Sequence, residues 1–339
     1  MNALLPDIFL GLMGFAILLY VVLDGYDLGV GILLRHASDP EKDVMVASIG
    51  PFWDANETWL VLGVGLLLTA FPSAHGVILS SLYLPVAAML VGLILRGVAF
   101  DFRSKVPAQH KHRWNQLFYL GSLITAASQG FMLGLHIVGY KYSVATLLFA
   151  GFISVALCAG YALLGAGWLI MKCEHDLQKR AVRWARHSLG LTALGVLAVS
   201  LATPLVSPRI FARWFEFPQI LILLPIPLIS LGLFWIAHRI LKTLPRAGDH
   251  YCWLPFACAA GIYLCASLGL AYSLYPFLVV DRVSIYDAAA STDALRLILL
   301  GAVITLPAIL AYTVFAYRVF WGKASELAYY HDDSSAGNL

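Results

Sequence analysis

The chain has 339 residues, of which 60% are hydrophobic and 12% charged, with a net charge of +3. Soluble domains are about 25% charged, and a soluble fold of this length has no use for so much apolar surface. A nucleotide-binding, receiver or other soluble catalytic domain is therefore excluded, and the composition predicts an all-α integral membrane protein.

A spanning helix needs about 20 mostly apolar residues. Nine such runs follow one another near Ile8–Leu34, Val44–Phe71, Val77–Phe100, Trp114–Val138, Val144–Met171, Ser188–Val206, Gln219–Leu241, Cys252–Pro276 and Leu295–Trp321. They form a single polytopic membrane domain over residues 1–339 with short connections. The N-terminus lacks a signal peptide's basic start and small-residue cleavage site, so the first run is expected to stay as a helix. The longest polar stretch, Lys172 to His187, is expected to be a loop too short to fold alone. The tail His331–Leu339 is expected to fray.

The informative residues are ionisable groups at bilayer depth, which cost several kcal/mol unless paired or hydrated and so mark ion or proton routes. The first run passes through D-G-Y-D-L-G, which puts Asp24 and Asp27 three residues apart on one helix face. Counted back from Leu34, Asp27 and Asp24 lie about 10 and 15 Å deep. The second run climbs back through G-P-F-W-D-A-N-E-T-W, with Asp54 about 15 Å in from Val44 and Glu57 a turn further on. Four carboxylates are thus expected to converge, with Asn56 and Thr58 nearby. Gly25, Gly29, Gly50 and Pro51 would let the backbones approach or bend.

The third run ends R-G-V-A-F-D-F-R. Arg96 lies about a turn inside the boundary, in reach of the Asp24/Asp27 level, where it would tune the charge of the carboxylates. Asp101 and Arg103 sit at the surface and are expected to pair. Two structural alternatives stay open: Asp27 could snorkel to the interface, and Asp54 could be a buried hydrogen-bonding group. From the sixth run onward the segments have almost no central charge and read as scaffold or partner-contact surface.

The loops after runs one, three, five, seven and nine hold sixteen of the 22 Lys and Arg, and the opposite side holds five. The positive-inside rule then places the N-terminus outside and the C-terminus in the cytoplasm. The positive charge faces anionic lipid, and nucleic-acid binding is not indicated. The five cysteines form no C-x-x-C pair and suggest no zinc or redox motif. Haem ligation by two histidines needs imidazoles on facing helices at one depth. Only His75 and His136 could meet that condition. The tryptophans and tyrosines read as interfacial anchors and helix-packing groups.

D-G-Y-D-L-G-V-G at 24–31, F-W-D-A-N-E-T-W at 52–59, R-G-V-A-F-D-F-R at 96–103 and G-Y-A-L-L-G-A-G-W-L at 160–169 resemble signature segments of subunit II of cytochrome bd-type quinol oxidases. The R-G-V-A-F form is similar to the cyanide-insensitive branch. The resemblance spans the chain in length, helix number and orientation. It implies a subunit of a bacterial inner-membrane terminal oxidase that takes electrons from quinol and reduces dioxygen to water. Haem b and haem d would belong to the larger subunit I, and this chain would carry none.

The resemblance further implies that this chain stabilises subunit I and contributes a cytoplasmic proton pathway. Asp24 and Asp54 are the pathway carboxylates that it points to, and Trp59 would lie near a hydrophobic route for dioxygen. A structural quinone and a third, single-helix subunit would complete the assembly among the membrane lipids. Glu57 departs from relatives that carry glutamine there, which puts its part in proton transfer in doubt. A proton-coupled secondary transporter is the alternative from another class, although such proteins usually break helices in both halves.

Overall fold

The computed structural model describes residues 4–324, and the tail His331–Leu339 lies outside them. Helices α1 (Leu5–Leu33), α2 (Asp39–Ile49), α3 (Trp53–Ala70), α4 (Pro72–Arg103), α5 (Ala108–Ile137) and α6 (Val144–Lys172) make the first half. The second half holds α7 (His175–Val206), α8 (Pro208–Phe215), α9 (Gln219–Leu223), α10 (Pro225–Leu241), α11 (Leu254–Leu274), α12 (Ile285–Ala288) and α13 (Thr292–Val319). A small antiparallel hairpin, β1 (Phe277–Val279) with β2 (Val283–Ser284), caps the end of the bundle where the chain begins.

Eight helices among the described residues are long and apolar enough to cross a membrane, where the sequence leads one to expect nine. The difference is the run Val44–Phe71. It is broken at Gly50–Phe52 into α2 and the 18-residue α3. Pro51 has no N–H to continue a helix ladder, and W-D-A-N-E-T makes the first turns of α3 polar.

A second departure concerns the polar stretch Lys172–His187, which is helical from His175 onward. Its buried positions, Leu177, Gln178, Ala181, Val182 and Ala185, recur at helical spacing, while Lys179 and Arg183 face outward. The stretch is an amphipathic extension of α7 that packs against the bundle. The charge that makes it look like a loop is confined to one face.

The core is organised around α1 and α6. Residues Asp24–Gly31 of α1 and Ala159–Ile170 of α6 are buried all the way round, as central helices must be. Glycine makes their crossing possible. A Cβ on Gly29 would stand 1.8 Å from the Tyr161 carbonyl oxygen, and one on Gly165 would stand 2.4 Å from the backbone at Gly29 and Val30. α4 and α5 meet as closely, since a Cβ on Gly121 would lie 2.7 Å from the Arg96 nitrogen and the Gly92 carbonyl. Small residues at such crossings let helices pack closely in lipid, where van der Waals contact replaces the hydrophobic drive. Outward faces carry exposed large apolar side chains, such as Leu231 and Trp235 on α10 and Leu300, Ile304 and Phe315 on α13. These surfaces suit hydrocarbon.

Candidate functional site

Asp24 and Asp27 hang from the fully enclosed stretch of α1, and both are 0% exposed. Arg96, 1% exposed, comes from α4, placed by the tight α4/α5 crossing. Its Nη2 donates to Asp24 Oδ1 at 2.6 Å and also to Glu57 Oε1 of α3. The Trp53 ring lies 5.8 Å from the guanidinium carbon, a cation–π distance. Two carboxylates therefore share one arginine inside the bundle, and the side chain of Glu57 is still 28% exposed. Glu57 is where this cluster reaches the surface.

Asp27 makes a different set of bonds. Asn56 Nδ2 donates to Asp27 Oδ2 at 2.7 Å and to the Tyr26 hydroxyl at 3.0 Å. The Tyr317 hydroxyl of α13 donates to Asn56 Oδ1 at 3.2 Å and lies 2.7 Å from the Tyr26 hydroxyl. Asp27 points inward and does not snorkel. In this cluster Asp24 Oδ2, Asp27 Oδ1 and Arg96 Nε and Nη1 have no partner among the described residues. Buried polar atoms in a membrane protein demand partners, and a set of both donors and acceptors is the lining a hydrated path needs.

The four expected carboxylates do not converge. Asp24, Asp27 and Glu57 come together, but Asp54 is exposed and turned away. The reason is helical phase. α3 buries Asn56, Trp59, Gly63 and Leu66 against the bundle, which leaves Glu57 to one side and Asp54 outside. Arg96 accordingly does not pair with Asp54. Asp54 lines a groove of about 470 Å³ with Trp53, Phe100, Asp101 and Ser104. Trp53 stands between this groove and Arg96. Asp54 and Glu57 stand one turn apart on α3.

The expected Asp101–Arg103 pair is also replaced. Arg103 is fully buried and binds Asn115 Oδ1 at 2.5 Å and the Asp43 carboxylate, while Asp101 is exposed at the groove. Trp59 is buried among Ala16, Tyr20, Ala302 and Leu306, edge-on to Phe15 at 6.1 Å. His136 bonds Tyr140 through Nδ1 at 2.7 Å. Among the described residues no group of three or more His, Cys, Asp or Glu is arranged to hold a metal ion.

Sequence reasoning missed the tyrosines. Tyr20, Tyr26, Tyr161 and Tyr317 are members of buried polar networks and not interfacial anchors. The Tyr161 hydroxyl donates to Gln129 Oε1 at 2.6 Å, and Gln129 Nε2 donates to the Tyr20 hydroxyl at 2.6 Å. Gln129, an amide inside an apolar run, was the available signal.

Residues 5–320 match the family model described as cytochrome bd terminal oxidase subunit II. The chain is 28% identical to the cytochrome bd ubiquinol oxidase subunit 2 of Bacillus subtilis, over 90% of this chain and 93% of that one. It is 25% identical to the cytochrome bd-I ubiquinol oxidase subunit 2 of Escherichia coli, over 93% and 94% respectively. A chain of the solved bd oxidase from Geobacillus thermodenitrificans has the same fold, with a TM-score of 0.77 and 18% identity. That match covers 94% of this chain and 98% of the other.

Proposed function

The chain belongs to the cytochrome bd terminal oxidase subunit II family, and from that premise we propose that it carries protons from the cytoplasm toward an oxygen-reducing site in its partner. It is a subunit of a quinol oxidase, and so of a membrane-bound oxidoreductase of the respiratory chain. The transporter alternative falls with that membership. Reducing dioxygen to water consumes a proton for each electron delivered. A membrane-embedded site must draw those protons through ionisable side chains and bound water.

One observation carries the proposal: Asp24, Arg96 and Glu57 form a charged cluster inside an apolar bundle, surrounded by polar atoms without protein partners. Burying such a cluster for structure alone is a poor bargain, since ion pairs in low dielectric barely offset their desolvation. Glu57 links the cluster to the flank on which Asp54 and Asp101 line the groove. That flank is read as facing the haem-bearing subunit I, with Asp54 handing protons across the interface. Asp101 at the mouth of the groove and Arg96 behind Trp53 set the local charge. Trp59, in its apolar pocket, is read as bordering a route for dioxygen.

Subunit I would hold haem b and haem d, whose chemistry is electron transfer to dioxygen, and this chain would stabilise it without binding haem. Quinol and dioxygen would reach the complex through that partner, with a structural quinone, a small third subunit and membrane lipids completing it. The whole chain acts as one domain in the bacterial inner membrane, N-terminus outside, with α2 and α3 together making a ninth crossing.

Asp54→Asn and Asp54→Glu in the assembled oxidase test the interface step. Asn removes the exchangeable acid and should slow quinol-driven oxygen uptake per haem, and Glu should retain more. Wild-type turnover in a fully assembled Asn variant would take Asp54 out of the pathway.

A further inference from the structure

The polar network of Asp27, Asn56, Tyr26 and Tyr317 lies near the end of the bundle at which α1, α6 and α13 all stop. Under the proposed orientation that end is cytoplasmic. Tyr26 stands about two turns before the end of α1 at Leu33. A layer of packed rings meets the network on that side. Trp168 of α6 stacks on Tyr26 at 4.2 Å, and Phe52 stacks on Tyr317 at 4.5 Å. Phe52 meets Trp168 edge-on at 5.5 Å, and Phe320, just past the end of α13, closes on Phe52 at 6.0 Å. Phe52 is 1% exposed and Trp168 4%. The one polar side-chain atom these three rings carry, Trp168 Nε1, donates to the Ser48 carbonyl oxygen of α2 at 3.2 Å.

Lys172 comes one turn after Trp168, at the very end of α6, and it is buried. Its Nζ donates to the carbonyl oxygens of Phe320 at 2.8 Å and Gly322 at 3.0 Å. The same nitrogen lies over the Trp168 ring at 5.2 Å and the Phe52 ring at 5.6 Å, both cation–π distances. A lysine can cap a helix end from the surface, so capping α13 does not by itself call for a buried ammonium. What burial adds is a fixed cation pressed against the rings. The Asp24–Arg96–Glu57 part of the cluster has a more open margin, since Glu57 is partly exposed.

We propose that Phe52, Trp168 and Lys172 form a plug that closes the Asp27–Asn56 end of the network to water and cations from the cytoplasm. The purpose of the plug rests on the proton route proposed above, because closing this end leaves the Glu57 flank as the way in. The two parts act differently. Apolar constrictions close a passage by excluding water, and a fixed cation in the passage repels hydronium and metal cations. The break between α2 and α3 gains a role from this. Phe52 is the residue that precedes the first turn of α3, so the break is what sets its ring beneath Tyr317.

Access is read by labelling Asn56→Cys in the assembled oxidase, with the five native cysteines of this chain replaced. Asn56 is 1% exposed and bonds both Tyr26 and Tyr317. A cationic and a neutral methanethiosulfonate of similar size are added from the cytoplasmic side. Phe52→Ala should speed both reagents alike. Lys172→Met keeps the bulk of the stem and should speed the cationic reagent about tenfold more than the neutral one, the scale of one unit charge in a passage of low dielectric. Lys172→Arg should hold the ratio of the parent. A lysine that only packs or caps α13 would leave that ratio in place, so an unchanged ratio in Lys172→Met overturns the charge barrier. Unchanged rates in Phe52→Ala overturn the ring seal. Labelling is read on the haem-loaded complex alone, so a variant that assembles poorly still reports. The proton route fails separately, by wild-type oxygen uptake in assembled Asp54→Asn.

Discussion

Arg96 is the residue on which the buried cluster depends, because one of its nitrogens bonds both Asp24 and Glu57. Deleting its charge leaves two acids in an apolar bundle, and breaking a buried ion pair from one side costs about 3–5 kcal/mol. Arg96→Leu should therefore cut the yield of assembled complex severely, as measured by haem per subunit after solubilisation. Adding Asp24→Asn to Arg96→Leu should recover part of that yield. If the double variant assembles no better than the single one, the penalty does not come from the unpaired carboxylate. Glu57→Gln should be milder, since its side chain is partly exposed and Asp24 keeps its arginine.

At this scale the sequence made much of the cluster legible. Two acids three apart in an apolar run, and an arginine a turn inside a helix end, can be read without coordinates. The rotation of α3 could not be read in the same way. Spacing alone puts Asp54 and Glu57 on one face, but which face meets α1 is decided by the packing of Asn56, Trp59 and Gly63. Tyrosine is equally at home at an interface and in a buried network, so Tyr20 and Tyr161 gave no sequence signal of their own.

Among the elements, the α1/α6 crossing fixes where both acids sit. Gly29→Ala would press a methyl into the Tyr161 carbonyl, where backbone cannot yield, so α1 and α6 must separate. We expect it to lower thermal stability and haem content together. Gly301→Ala on α13 meets no described atom within 4 Å and should leave both unchanged. Equal losses in the two variants would show that the crossing is not special. Glycines were visible in the sequence as places of close approach, but their partners were not.

The far end of α13 is tied down by Lys172, which donates to the Phe320 carbonyl at 2.8 Å, and by Lys323, which pairs with Asp249 at 2.5 Å. Burial pushes the Asp249 carboxyl up, but bonds from Lys323 and Gln178 outweigh it and hold the group below its usual range. A carboxylate lowered on folding contributes stability above its unfolded value of about 4. That contribution is lost as pH falls through the folded value. Thermal stability of the solubilised protein should thus drop on acidification, and Asp249→Asn should flatten that part of the drop. An identical acid profile in the variant would remove this tie from the account.

The whole molecule is an apolar bundle whose buried charge is gathered near one end, in its first half. The charge of its loops favours an outside N-terminus, and side-specific labelling can test that orientation. With the five native cysteines replaced, single cysteines at the exposed positions Lys105 and Tyr142 should label from the cytoplasm and from outside respectively. The reverse pattern would turn the pathway to face the wrong side. Fold class was legible from hydropathy because the bilayer demands long apolar helices. The break at Gly50–Phe52 was harder to foresee, since it rests on Pro51 and on the polar first turns of α3, of which only Asn56 is buried.

On the proposed pathway, protons pass through Asp24 on their way to the site of oxygen reduction. The most direct measurement is time-resolved proton uptake from the cytoplasmic side when the reduced, assembled oxidase is exposed to dioxygen. With Asp24→Asn at full haem content, proton uptake and oxygen reduction should slow together while quinol binding is unchanged. Proton uptake at the wild-type rate in that variant would contradict the account.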